Sequence, residues 1–320
     1  MSRIHEALRR AAEERAAQLE AGLELGTADV TAGVPHPLTA EPAVAPPPGL
    51  GRVNGSGHSA VPLRYEDLLK RCTHPEWHLD PQYNVFQDPQ MGGEGSERFR
   101  TLRSRLYQIA ATRQLRRLLV TSGVPAEGKT FVASNLARSM VRQPEQRVLL
   151  LDADLRIPRL HVALGAPSHP GLVDYLRGEA DEYAIIQKGM EENLCLIPGG
   201  SQASNPSELL LGERMKHLLD LLTPVFDWII VDSSPALPVH DAIVLSDMMD
   251  GVLLVCRAGS TDLEIAEKTV AEFRDKKLLG VVLNQARECY PYGSYYFDSY
   301  VEGVERSPQN LGEQGVRAGS

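Results

Sequence analysis

The stretch from Leu118 to Ala137 decides the fold of this chain. It reads Leu118-Leu-Val-Thr-Ser122, then Gly123-Val-Pro-Ala-Glu-Gly128-Lys129-Thr130, then Phe131-Val-Ala-Ser-Asn-Leu-Ala137. The first run is typical of a buried strand and the last of a helix, so the middle run fits the pattern G-x-x-x-x-G-K-[ST] in a strand–loop–helix setting. Glycines let backbone N–H groups close around phosphates, and the start of a helix adds the positive end of its dipole. The stretch predicts a phosphate-binding loop; a glycine-containing βα turn is the alternative.

The residues of this loop have separate expected roles in holding a nucleotide. The ammonium group of Lys129 is expected to reach the β- and γ-phosphates, and the Thr130 hydroxyl is expected to bind Mg²⁺. The residues expected to contact the nucleotide are the loop, the residue after it and one downstream arginine: Gly123, Val124, Pro125, Ala126, Glu127, Gly128, Lys129, Thr130, Phe131 and Arg156. ATP and Mg²⁺ are therefore the expected cofactors.

Acidic residues end two further apolar runs. One run is Val148-Leu-Leu-Leu-Asp152-Ala-Asp154-Leu-Arg156, and the other is Ile229-Ile-Val-Asp232-Ser-Ser-Pro235. In an open α/β sheet, ligands bind beyond the carboxyl ends of the strands, so these carboxylates are expected to meet beside the phosphate loop. Hard oxygen ligands suit Mg²⁺, and the predicted metal ligands are Thr130, Asp154 and Asp232. Taken alone, Asp232 could instead cap the start of a helix.

Strand-like and helix-like segments alternate through the rest of the chain. The apolar runs are short, unalternating and rich in Val, Ile and Leu, which is typical of parallel strands that are buried on both faces. The predicted strands are 116–122, 147–153, 193–198, 227–232, 251–257 and 279–284. The predicted helices are 96–111, 129–142, 171–177, 207–222, 239–249 and 261–276. The expected fold class is α/β, with three layers and a mostly parallel sheet.

Four segments are expected along the 320 residues. Residues 1–24 have the periodicity of a helix, and residues 25–63 form a Pro- and Gly-rich linker that cannot bury enough apolar surface to order itself. Residues 64–286 form the catalytic P-loop domain. Residues 287–320 form a flexible tail, and five of the ten tyrosines of the chain fall between Tyr290 and Tyr300.

Composition argues against several other classes of protein. The formal charge of −9 argues against general nucleic-acid binding, which needs a basic surface. No run approaches the ~18 apolar residues of a membrane-spanning helix, and the N-terminus lacks the features of a secretory signal. The four cysteines contain no C-x-x-C pair, which argues against a disulfide scaffold or a zinc site. These features favour a soluble, cytoplasmic protein.

Three motifs together resemble the signatures of the bacterial protein-tyrosine kinases (BY-kinases) of capsule and exopolysaccharide systems. The phosphate loop is Gly123–Thr130, the D-x-D-x-R motif (Walker A′) is Asp152–Arg156, and the D-x-x-P motif (Walker B) is Asp232–Pro235. The resemblance covers roughly residues 94–300. It implies the P-loop NTPase fold of the deviant Walker type, which the ParA/MinD ATPases share.

Two further motifs are similar to features of the same family. Glu97-x-x-Arg100-x-x-Arg103 is similar to the E-x-x-R-x-x-R motif through which subunits assemble into a ring, although a solvated basic helix face is the alternative. The C-terminal cluster is similar to the tyrosines that these kinases autophosphorylate, and its members are Tyr290, Tyr292, Tyr295, Tyr296 and Tyr300. An aromatic tail that only packs or self-associates is the alternative for this cluster.

The resemblance implies an ATP-dependent tyrosine autokinase that phosphorylates this cluster, in trans within a ring, and regulates exopolysaccharide polymerisation or export. The implied catalytic residues are Lys129, Asp152, Asp154 and Asp232, with Asp152 as the candidate acceptor of the tyrosine proton. Arg156 is expected to steady either the carboxylates or an incoming acidic tail. The implied partners are other copies of the chain, a separate membrane-embedded chain-length or co-polymerase activator that recruits the kinase to the inner face of the plasma membrane, and a tyrosine phosphatase, but no nucleic acid.

Two departures from the family pattern bear on activity. Ala126 stands where the family usually has Gly, which matters only if the loop needs a positive φ there, at a cost of about 1–3 kcal/mol. Ser233-Ser234 replaces the commoner Thr/Ser-Pro. A ParA/MinD-like switch ATPase is one alternative function, but the extra lysine that those proteins carry early in the phosphate loop is missing from Gly123–Lys129. A nucleotide-binding adaptor without kinase turnover is the other, and Ala126 keeps it open.

Overall fold

The computed structural model of the chain describes residues 63–86, 93–189, 191 and 193–286. By its contacts the chain divides into two units, Met1–Asn284 and Gln285–Ser320. The predicted N-terminal helix (1–24), nearly all of the predicted linker (25–63) and the predicted tail (287–320) with its five tyrosines lie outside the described residues. The expectations for these segments stay predictions.

A seven-stranded sheet forms the centre of the first unit. Its strands, in chain order, are β1 (Arg117–Ser122), β2 (Val148–Ala153), β3 (Gln187–Lys188), β4 (Leu194–Ile197), β5 (Trp228–Ser233), β6 (Gly251–Arg257) and β7 (Leu278–Asn284). They lie side by side in the order β3-β4-β2-β5-β1-β6-β7. All neighbours pair in parallel except β3 and β4, which are antiparallel. The predicted α/β class with a mostly parallel sheet is confirmed.

Ten α-helices accompany this sheet in the part of the chain that the structure describes. They are α1 (Tyr65–Arg71), α2 (Glu94–Ala110), α3 (Lys129–Val141), α4 (Leu160–Leu164), α5 (Leu172–Arg177), α6 (Glu182–Ile185), α7 (Pro206–Leu211), α8 (Glu213–Leu222), α9 (Asp241–Ser246) and α10 (Leu263–Glu272). A short 3₁₀ turn spans Pro81–Tyr83. Among these described helices, none is both long and apolar enough to cross a membrane.

Two hydrophobic clusters cover the two faces of the sheet. Leu119 and Leu149 belong to one cluster, and their chain neighbours Leu118 and Leu150 belong to the other, because successive side chains of a strand point to opposite faces. Helices α5, α8 and α9 contribute residues to the first cluster, whereas α2 and α3 contribute to the second. The domain therefore has the three layers that the sequence predicts.

The predicted elements differ from the structure at a few places. The prediction of one helix over 207–222 is wrong, because Gly212 adopts an extended conformation (ψ 151°) that separates α7 from α8. Strand β3 has two residues, and helices α4 and α6 have five and four. The sequence does not predict these three elements, since such short segments carry too little periodicity to be recognised. The six other strands and helices α2, α3, α5, α9 and α10 follow the predicted ranges to within a few residues.

The strand order determines which loops meet at the carboxyl edge of the sheet. Strands β2, β5 and β1 are neighbours, so the segments that follow them lie side by side. In register, Asp152 of β2 lies beside Asp232 of β5, and Asp232 lies beside Val120 of β1. The phosphate loop and both acidic motifs are therefore at the same edge.

Candidate nucleotide-binding site

The loop Gly123–Thr130 leads from the end of β1 into the first turn of α3. Gly128 has a φ of 93°, a left-handed conformation that favours glycine. A Cβ atom at this position would lie 1.9 Å from Asn284 Nδ2, at the end of β7. The same Nδ2 donates a hydrogen bond to the Glu127 carbonyl oxygen at 2.9 Å. Both the backbone conformation and this close contact therefore require the glycine that precedes the lysine of the loop.

Ala126 also has a positive φ, 66°. The loop thus needs a left-handed residue at this position, and the departure from glycine has a physical consequence. A left-handed backbone costs a residue with a Cβ atom about 1–2 kcal/mol. The side chain of Ala126 is exposed, so its methyl group gains little packing in return.

The Glu127 side chain supports the loop from within. It is 2% exposed, and its carboxylate accepts hydrogen bonds from the Val124 N–H, at 2.9 Å, and from the Thr261 hydroxyl. Thr261 lies in the connection between β6 and α10 and also accepts a bond from the Arg257 N–H at 2.9 Å. The carboxylate therefore joins the phosphate loop to the neighbouring strand connection. Of the residues predicted to contact the nucleotide, Glu127 is one whose side chain is directed into the protein.

Lys129 and Thr130 each contact one of the predicted carboxylates. The Lys129 ammonium lies 2.8 Å from Asp154 Oδ2, and both side chains are largely buried. The Thr130 hydroxyl donates to Asp232 Oδ2 at 2.6 Å. Burial alone would lower the pKa of Lys129, but the charges of Asp232 and Asp154 outweigh it and raise that pKa. The lysine is therefore firmly protonated at the point where the phosphates are expected.

Asp152 is buried as completely as Asp232 and more completely than Asp154. It is fully buried, and its oxygens accept three backbone N–H bonds: from Asp154 at 3.2 Å, Arg159 at 3.0 Å and Leu160 at 2.9 Å. These bonds hold the segment that follows β2 and the first turn of α4. Burial, followed by the charge of Asp232, raises the pKa of Asp152 well above its usual value, although the Leu160 N–H opposes the shift.

The site carries more negative than positive charge. Asp152, Asp154 and Asp232 face the single ammonium group of Lys129, and burial raises the pKa of Asp232 to about 6 even though Lys129 and Thr130 lower it. Removing several carboxylates from water is unfavourable unless cations compensate them. The local charge therefore suits a bound divalent cation.

The donor atoms also fit Mg²⁺. Asp232 Oδ1 is buried and, within the described ranges, has no hydrogen-bond partner, so it is available as an oxygen ligand or as an acceptor for metal-bound water. Acidic, His and Cys side chains of the described residues form no group of three arranged around a possible ion. The fit consequently rests on a mixed set, the hydroxyl of Thr130 with the carboxylates of Asp154 and Asp232.

Arg156 contacts an aspartate that the sequence analysis does not single out. Its Nε and Nη2 atoms donate to the two oxygens of Asp241, at 2.7 and 3.1 Å, and Nη2 lies 3.3 Å from Ser207 Oγ. Three residues at this edge are thus missing from the sequence prediction: Thr261, Asn284 and Asp241. Asn284 ends a predicted strand, the same signal that identified the acidic motifs, whereas the partners of Thr261 and Asp241 are distant in the sequence.

The three residues of the predicted assembly motif lie on α2 and have different surroundings. Glu97 and Arg100 pair with each other and are 41% and 49% exposed at the side chain. Arg103 instead donates from Nη1 to the Ser139 carbonyl oxygen near the end of α3. The first two side chains therefore face outward, while the third connects two helices of its own chain.

The fold and this edge define a nucleotide-binding P-loop protein. No family model matches the chain. It is 34% identical over 205 residues to the tyrosine-protein kinase YwqD of Bacillus subtilis, covering 63% of this chain and 86% of YwqD. The chain therefore belongs to the family of bacterial tyrosine-protein kinases.

A further relative and two solved structures are also similar to this chain. The tyrosine-protein kinase Wzc of Salmonella typhimurium is 33% identical over 207 residues, which are 64% of this chain but only 29% of that longer protein. The kinase domain of the Escherichia coli tyrosine kinase ETK superposes with a TM-score of 0.58 at 31% identity, covering 65% of this chain and 84% of that one. The chimeric protein CapA2B2 gives a TM-score of 0.61 at 26% identity, covering 70% of this chain and all of that one.

Proposed function

We propose that this chain is an ATP-dependent autokinase that phosphorylates its own C-terminal tyrosine cluster, in trans within a ring of identical subunits. The observation that carries the proposal is the pair of contacts Lys129–Asp154 and Thr130–Asp232 beside the phosphate loop. Phosphoryl transfer requires mainly positioning and neutralisation of charge, because its transition state is loose. An edge that places a cation and carboxylates beside the phosphate loop would supply both.

The residues of the site divide this work between them. The amides at the start of α3 and the Lys129 ammonium would neutralise the phosphates of ATP. Thr130, Asp154 and Asp232 would hold Mg²⁺, which supplies further neutralisation of the phosphoryl oxygens when it is bound. Gly128 lets the loop lie close to the end of β7, and Glu127 keeps it in that conformation.

Asp152 is our candidate for the acceptor of the tyrosine proton. An aspartate with an ordinary pKa near 4 is a weak base for a phenol whose pKa is about 10. Burial raises the pKa of Asp152 and so reduces this difference. Its three backbone hydrogen bonds fix the carboxylate, which favours a role in orienting the hydroxyl with late proton transfer.

The proposal includes partners of the kinase. Assembly would use the exposed side chains of Glu97 and Arg100, with Arg103 supporting α2 from inside the subunit. A separate membrane-embedded co-polymerase would recruit the kinase to the inner face of the membrane, and a tyrosine phosphatase would reverse the reaction, so that phosphorylation regulates exopolysaccharide polymerisation or export. Nucleic acid has no part in this proposal.

Detection of phosphotyrosine tests the proposal directly. Purified full-length chain incubated with Mg-ATP should gain phosphotyrosine, Lys129→Met should abolish the signal, and replacement of the five cluster tyrosines by Phe should remove most of it. Mixing Lys129→Met chains with chains that carry the five replacements should restore labelling of the former if transfer occurs in trans. Absence of any Lys129-dependent phosphotyrosine, with the membrane partner added, would refute kinase activity.

The second candidate is a nucleotide-binding adaptor without turnover, which the left-handed conformation of Ala126 favours. An adaptor would bind ATP, and Lys129→Met would weaken that binding, but the chain would produce neither phosphotyrosine nor ADP. A switch ATPase would give ADP without phosphotyrosine. The same incubation, analysed for both products, therefore separates the three functions.

A further inference from the structure

A fully buried carboxylate lies beside the proposed active site without a role in the function described so far. Asp241, the first residue of α9, is 0% exposed. Its Oδ2 accepts from Arg156 Nε at 2.7 Å and from Ser234 Oγ at 3.3 Å. Its Oδ1 accepts from Arg156 Nη2 at 3.1 Å and from Ser207 Oγ. Four donors thus surround one carboxylate.

These donors come from three segments that border the site. Arg156 follows β2 in the Walker A′ motif, Ser234 follows β5 in the Walker B motif, and Ser207 lies in the first turn of α7. Burial alone would raise the pKa of Asp241, but the hydrogen bonds from Arg156 and Ser207 outweigh it and lower that pKa. The carboxylate is therefore charged, and it holds the three segments together through that charge.

The contact with Arg156 fixes a guanidinium group rather than only a charge. A two-point arginine–carboxylate pair sets the plane of the guanidinium. The side chain of Arg156 is still 37% exposed, and in the described part of the chain its Nη1 atom has no hydrogen-bond partner. Two residues earlier, Asp154 holds Lys129 at 2.8 Å. Arg156 and the carboxylate that pairs with Lys129 of the phosphate loop therefore belong to the same short segment after β2.

We propose that Asp241 is a positioning residue for phosphoryl transfer: it orients Arg156 so that the free edge of the guanidinium donates to the anionic oxygens of the group being transferred. This inference rests on the proposed function. Asp241 itself touches no reacting atom and acts through Arg156. Ser207 and Ser234 donate to the remaining lone pairs of the carboxylate and keep it aligned with the guanidinium of Arg156.

A double-mutant cycle separates this role from a purely structural one. Asp241→Asn, Arg156→Ala and the double variant are compared in the full-length chain for kcat and KM for ATP, for affinity toward a fluorescent ADP analogue, and for Tm. Asp241→Asn keeps the shape of the side chain but removes its charge. For Asp241→Asn we expect kcat to fall by roughly 10- to 100-fold, the range for one charge-assisted hydrogen bond lost in the transition state. The KM for ATP and the affinity for the ADP analogue should stay within about twofold of those of the unmodified chain. In the Arg156→Ala background the same change should alter kcat by less than about twofold.

Two further variants keep the test decisive if Asp241→Asn folds poorly. Arg156→Lys retains a cation for Asp241 but has no second N–H edge that could donate to the transferred group. The kcat should therefore stay as low as in Arg156→Ala, while Tm recovers. Asp220→Asn is the matched control, because it makes the same change in the Arg117–Asp220 pair at the start of β1, far from the site. It should leave kcat unchanged.

Several results would overturn the inference. These are an unchanged kcat in Asp241→Asn or in Arg156→Ala, an equal loss from Asp241→Asn with and without Arg156, and full recovery of kcat in Arg156→Lys. If the unmodified chain gives no phosphotyrosine, the proposed function fails first, and the cycle is then measured on hydrolysis of ATP, which needs the same stabilisation. A chain that turns over no ATP at all would contradict both proposals.

Discussion

Replacing Ala126 by glycine tests whether the phosphate loop is strained. The residue has a φ of 66° and is exposed, so glycine removes a steric penalty while losing almost no packing. The relief is about 1–2 kcal/mol. Glycine also increases the entropy of the unfolded chain, which costs about 0.4–1 kcal/mol. The net gain in the free energy of unfolding is therefore roughly 0–1.5 kcal/mol, with a central value of about 0.8 kcal/mol.

This gain should appear in thermal unfolding. For a domain of this size, 1 kcal/mol corresponds to about 2–4 °C in Tm, so Ala126→Gly should raise Tm by about 2–3 °C. Because glycine can keep the same φ of 66°, the loop conformation should persist and affinity for ADP should stay within about twofold. The control is Ala111→Gly at the end of α2, where φ is −68° and the residue is also exposed. That change should lower stability by about 0.4–1 kcal/mol, because it increases the entropy of the unfolded chain without relieving strain. A fall in Tm for Ala126→Gly similar to that of the control would refute the strain argument.

Four other substitutions give distinct expected outcomes. Thr261→Val leaves the buried Glu127 carboxylate without one donor and should cost about 1–3 kcal/mol in urea unfolding; an unchanged midpoint would count against that contact. Folding raises the pKa of the Asp232 carboxyl from an unfolded value near 4 to about 6. The free energy of unfolding therefore falls as pH increases through this range. Asp232→Asn should therefore raise stability at pH 7.5 by about 1–3 kcal/mol in metal-free buffer and flatten Tm between pH 4 and 7; an undiminished slope would contradict the assignment. Arg100→Glu should shift the assembly toward monomer in sedimentation at constant Tm, whereas Arg103→Glu should lower Tm because it loses the contact with α3; an Arg100→Glu assembly of unchanged size would contradict the interface.

The sheet can be predicted from the sequence because its strands are buried on both faces. Parallel strands such as Val148–Ala153 and Trp228–Ser233 are continuous apolar runs, which an amphipathic helix does not produce. The Gly212 break is harder to predict, since a single glycine inside a helical pattern is often tolerated. In this chain the extended backbone of Gly212 ends α7 and begins α8 at the same residue.

Sequence motifs predict some residues of the site, whereas others are recognised only from tertiary contacts. The motifs indicate which side chains reach the carboxyl edge, because each follows a strand. They do not indicate the partner of Arg156, which lies 85 positions away at Asp241, or that of Glu127, which lies 134 positions away at Thr261. Such partners depend on how loops fold over the edge, which local sequence does not determine.

The electrostatics of the edge also bear on the order in which ligands bind. Lys129 is paired with Asp154 at 2.8 Å, so an ammonium group that turns toward a phosphate uncovers a nearly buried carboxylate. That carboxylate is one of the expected metal ligands, together with Asp232 Oδ1, which has no hydrogen-bond partner among the described residues. Nucleotide without a divalent cation would leave these carboxylates uncompensated, and a cation without nucleotide would compete with Lys129 for Asp154. Each ligand therefore removes the charge penalty that the other creates, and the two should bind together more tightly than either binds alone.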